Sequence, residues 1–97
     1  MKFLNKRLMS SIKLFKKQIN NRVGGFIEEV YAWELNNPDV DLKSTEKLID
    51  QAIALFDDLI EKIHLAKRKS SKDGFKSIRK KMDDSIRDLH KELVKLG

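Results

Sequence analysis

Few residues in this chain could do chemistry, and their spacing limits what they could do. His64 follows Glu61 by three positions, the spacing of carboxylate-bridged metal sites in four-helix bundles. Such sites need two Glu-x-x-His pairs and further inward-facing carboxylates. The sequence supplies one pair, and its Glu61 falls on the outer side of the helix it occupies. His90 lies between Asp88 and Glu92 beside the apolar Leu89, as an exposed side chain would. Glu28-Glu29 and Asp57-Asp58 are adjacent acids, a pattern able to share a proton when both carboxyls line one pocket. Neighbouring helical residues point about 100° apart, so each pair reads as a solvated face. Gly24-Gly25 has neither the spacing nor the preceding strand of a phosphate loop. There is no cysteine, which removes disulfides and thiolate metal sites. No catalytic, cofactor-binding or metal-ligating set emerges, no cofactor or small-molecule substrate is implied, and an enzyme is not expected.

The elements that carry these residues are helical. In Leu48 to Ala66 the apolar residues form two lines. Leu48, Ala52, Leu55 and Leu59 make one; Ile49, Ile53, Phe56, Ile60 and Ile63 make the other. Both step by three and four, and together they predict a central helix gripped by two neighbours. Residues 1–36 carry one long line, Leu4, Leu8, Ile12, Phe15, Ile19, Val23, Phe26, Val30 and Trp33. It keeps register across Gly24-Gly25, which favours a single helix over two meeting at a hinge. Trp33 sits on this line as a core anchor. Asn36-Asn37-Pro38-Asp39 ends the helix, since Pro38 lacks an amide proton and drives Asn37 from helical geometry. Asp41 or Ser44 can cap the second helix; Leu42 and Thr45 fall on its inner face, which favours the earlier start and an end near Lys67. The polar residues 68–73 read as a connection, with Ser71 or Asp73 as the next cap. Phe75, Ile78, Met82, Ile86, Leu89, Leu93 and Leu96 then form a narrow seam with coiled-coil spacing. The expectation is an all-α, single-domain antiparallel bundle of three long helices over 1–97. The first helix, at roughly 50 Å against roughly 37 Å for the others, overhangs in part, to pack on its own chain after bending or on a second copy.

Charge is distributed in blocks. Residues 1–23 hold seven Lys/Arg and no acid, 24–66 carry a net −7, and 67–97 carry a net +6, giving the chain its +6. A basic chain favours anionic partners. No apolar run approaches the roughly 18 residues that span a bilayer. Lys6, Arg7, Lys13 and Lys16 interrupt any secretory core, so a cytoplasmic location is expected.

Two surfaces are candidates for contact. The N-terminal helix has apolar residues off its main line, Phe3, Met9 and Leu14. Tyr31, about 160° from Trp33, makes a second patch with Leu35. These fit a protein partner or a homo-oligomer, a dimer being the simplest; an anionic membrane surface suits the same basic amphipathic pattern. The basic run Lys67, Arg68, Lys69, Lys72, Lys76, Arg79, Lys80 and Lys81 flanks a turn and a helix start, where phosphates bind. Nucleic acid is the alternative partner there, through sequence-independent backbone contact. Phe75 is the one aromatic nearby and belongs to the core line, which argues against base stacking.

Overall fold

A computed structural model describes residues 2–69 and 72–96, with side chains at 12–68 and 73–96. Three helices follow one another: α1 Lys2–Asn36, α2 Leu42–Lys69 and α3 Lys72–Leu96. The fold is all-α, and the molecule is a rod of 58 × 18 × 15 Å.

The first helix is continuous. At Gly24 and Gly25 a built Cβ meets nothing within 4 Å, so both positions face open space and no partner forces a kink. After Asn36 the chain turns through hydrogen bonds from Asn37 N–H to Glu34 O (3.2 Å) and from Val40 N–H to Asn37 O (3.0 Å). The Asn37 side chain donates to Trp33 O at 2.8 Å and closes the helix end. Asp41 is the cap of α2: its Oδ1 accepts from Lys43 N–H at 3.0 Å, satisfying an otherwise orphaned donor. At the far end the helices come closer together in sequence than residues 68–73 implied, because α2 runs on to Lys69 and α3 starts at Lys72. Asp73 therefore lies in the first turn of α3 and is not its cap; Ser71 lies outside the described residues.

The core runs the length of the rod. Ile12, Phe15, Ile19, Val23, Phe26 and Val30 of α1 meet Leu48, Ala52, Leu59, Ile63 and Ala66 of α2, and Ile78, Met82, Leu89 and Leu93 of α3. Trp33 packs half-buried against it. Thr45 is fully buried and donates its hydroxyl hydrogen to Leu42 O at 2.9 Å, so its polar atom enters the core already bonded. Pairs across the bundle fix the register. Phe15 stacks edge-on against Phe75 at 6.2 Å, Arg22 pairs with Asp83 at 3.0 Å, and Glu29 meets His90 at 3.0 Å. The constant offset between partners means that α1 and α3 run parallel, with α2 antiparallel between them.

Two residues expected on the inner face of α2 are not there. Ile53 is 48% exposed and Leu42 58%. The apolar arc of α2 covers roughly 160° of its circumference, from Leu55 to Ile53, at about 100° per residue. In a triangular bundle the two neighbours cover the middle of that arc and leave one flank. Counting back from the Pro38 turn, Gly24 comes about level with Ile53 along the rod.

Candidate functional site

The uncovered flank of α2 is a continuous strip. Leu42, Ile49, Ile53, Phe56 and Ile60 follow one another at helical spacing; Ile49, Phe56 and Ile60 are half-buried against the core, Leu42 and Ile53 open to solvent. On the α1 side the strip is bordered by Ile27, Gly24 and Tyr31. Tyr31 is 52% exposed and Leu35 84%; both lie near Leu42 at the Pro38 end of the rod. Leu14, 57% exposed, is on α1 some five turns away and points to a different side. The described contact residues thus separate, Tyr31 and Leu35 at the Pro38 end and Leu14 toward the other. Phe3 and Met9 lie outside the described side chains. The periodicity reading missed Leu42 and Ile53 as surface residues; the signal was available in the width of α2's apolar arc, which exceeds what two neighbours can cover.

The basic residues collect at the opposite end. Arg79 lies 5.1 Å from the centroid of Phe15, a cation–π contact of about 0.5–1 kcal/mol at an exposed site, and this places the start of α3 beside the first half of α1. Lys67, Arg68, Lys76, Arg79 and Lys80 are exposed, as are Lys13 and Lys17 of α1. Lys69 and Lys72 lie outside the described side chains. Cut across the middle, after Ile27, Gln51 and Arg87, the rod carries by chain position a formal +11 in the half with the α2–α3 connection and −5 in the half with Pro38, together the chain's +6.

Lys81 differs from these exposed cations, because its ammonium is engaged by a carboxylate. Its Nζ donates to Asp58 Oδ2 at 2.5 Å, and Lys62 joins the same oxygen at 3.3 Å. The hydrogen bond from Lys81 holds the Asp58 carboxyl below the ordinary aspartate value, and the same bond raises the Lys81 ammonium. A lowered carboxyl pKa adds stability above its unfolded value, lost as pH falls through the folded one. A raised ammonium pKa adds stability below its unfolded value, lost as pH rises through the folded one. Lys81→Gln is therefore expected to lower Tm at pH 7, with the difference from the parent shrinking below about pH 4 and above about pH 10.5. Both side chains are 41% exposed, so added salt shrinks it as well.

Three concavities among the described residues are shallow. One lies between α1 and α3, around Arg22, Phe26, Glu29, Asp83 and His90; across it Arg22 pairs with Asp83 and Glu29 meets His90. Two more follow the α2–α3 seam near Lys81. Among the described residues no group of three or more His, Cys, Asp or Glu is placed to hold a metal ion. No described buried side-chain polar atom lacks a partner. Glu61 and His64 are both exposed. Among the described residues no helix is long and apolar enough to cross a membrane.

Fold and surface together define a small, elongated three-helix protein whose distinctive features are exposed helix faces. No family model, curated protein or solved structure shows significant similarity to the chain.

Proposed function

We propose that this is a non-enzymatic protein that works by offering helix faces to other proteins, and that it also self-associates. The observation that carries this reading is the open apolar flank of α2, with Ile53 at its centre. A bundle that ended its work at folding would place polar residues there. Self-association is supported separately by Leu14 on a helix of 35 residues that outruns partners of 28 and 25. Sedimentation equilibrium tests it. The expected result is a mass above 11.3 kDa at tens of micromolar, little affected by salt, and a return to the monomer mass in Leu14→Glu. A monomer throughout that range would remove self-association from the reading.

A second reading, binding to nucleic-acid phosphates, is supported by the gathering of cations from α1 and α3 at one end. It predicts steep salt dependence with mixed-sequence DNA. The slope should become shallower by about 0.9 for each phosphate left without its cation in Lys76→Gln, Arg79→Gln and Lys80→Gln. Binding that ignores salt, or these three changes, would remove it.

A further inference from the structure

The open strip on α2 has a charged border, and that border selects what can lie on it. Glu46, Asp50, Asp57 and Glu61 step by four, seven and four. At about 100° per residue they form one row beside the strip, on the side away from α1. All four are exposed, and none forms an ion pair with a described side chain. Across the strip, the α1 side in the Pro38 half carries a further acid, Glu34. At mid-rod, about level with Ile53, α1 carries Gly24, where a Cβ would meet nothing within 4 Å, which leaves open space for an incoming side chain.

We propose that this groove is the docking site for a cationic amphipathic helix from a partner protein, with apolar residues seated on the strip and a row of Lys or Arg along the acidic border. The proposal rests on the reading of the protein as a helix-face binder and names the class of partner for one face. A helix of that kind meets the groove as a fourth member of the bundle, the usual way an amphipathic helix fills an apolar groove.

Charge also argues against a second copy as the occupant. If two copies met face to face about a two-fold across the rod near Ile53, Glu46 would meet the copy's Glu61 and Asp50 its Asp57. If they met about a two-fold along the rod, the −5 half of one would lie on the −5 half of the other. Both arrangements bring like charges together at short range, which opposes association. A cationic helix meets neither objection.

The test uses the full chain and two synthetic peptides of about five helical turns. One has a leucine stripe flanked by lysines at steps of four, seven and four; the other has glutamate at each lysine position. Calorimetric titration is expected to show the lysine peptide binding at least roughly tenfold more tightly than the glutamate peptide, with the preference falling as salt rises. Asp50→Lys with Asp57→Lys is expected to reverse that preference. Ile53→Asp is expected to weaken both peptides while leaving the helical circular dichroism unchanged, since Ile53 is already half open to water. Equal binding of the two peptides, or binding indifferent to these substitutions, overturns the proposal. So does an associated parent chain that becomes monomeric in Ile53→Asp, because a second copy would then hold the groove; self-association would stand in that case. Conversely, a monomeric chain that binds the lysine peptide as described keeps the groove assignment and removes only self-association.

Discussion

Leu59→Ala is expected to destabilise the protein by about 3 kcal/mol, and Ile53→Ala by less than about 1 kcal/mol, although both are large aliphatic residues on one helix less than two turns apart. Leu59 is fully buried between the other two helices. Its truncation loses the transfer free energy of the missing carbons and leaves a cavity that rigid neighbours cannot close, a combination worth about 2–5 kcal/mol. Ile53 already has about half its surface in water, so little burial is lost. Alanine's better helix propensity, by up to about half a kcal/mol, offsets part of what remains. Against a total stability on the order of 5–15 kcal/mol for a small domain, the Leu59 change consumes a large fraction and the Ile53 change hardly registers. Urea unfolding with an unchanged m-value makes the comparison. Equal losses at the two positions would mean that another helix of this chain covers the Ile53 flank, and the open strip would not exist.

That contrast also shows how far the sequence could be read. The three helices were legible because each has its own signal: an apolar line unbroken through Gly24-Gly25, a proline that no helix interior tolerates at 38, a capping aspartate at 41, and a change of phase before Phe75. All of these are local. What spacing cannot supply is the number of neighbours a helix will have. Ile53 and Leu42 belong to the apolar arc of α2 by every count along the chain, and they are exposed because the third dimension provides two neighbours and not three. The same limit applies to charge. The sequence shows an acidic middle between basic ends, but not that Asp58 would draw in Lys81 and leave Lys76 and Lys80 outward, nor that His90 would reach Glu29. Those pairings depend on the mutual rotation of helices. Of the proposed contact residues, Leu14, Tyr31 and Leu35 were recognisable because they break the core period. Their division between two ends of the rod follows from helix length.

Replacing Gly24 and Gly25 together by alanine is expected to stabilise the protein by about 2 kcal/mol and to raise Tm by about 10 °C. Glycine in a helix interior costs about 1 kcal/mol relative to alanine, because the unfolded chain has more backbone freedom to lose. In a domain of this size each kcal/mol moves Tm by about 4–8 °C. The gain is not cancelled by crowding, since neither added Cβ meets an atom within 4 Å. A hinge at this point would give the opposite sign, because alanine would resist the bend. Calorimetry on the double variant reads the sign directly. A larger side chain at Gly24 separates stability from binding. Gly24→Leu keeps the propensity gain and can also cover Ile53, so it is expected to unfold at higher temperature than the parent. The same leucine fills the place where a partner's side chain would sit, and it should weaken the lysine peptide by roughly tenfold, the loss that about 1.4 kcal/mol produces. A variant more stable and equally able to bind would show that the glycine pair is a weakness in α1 with no part in the groove.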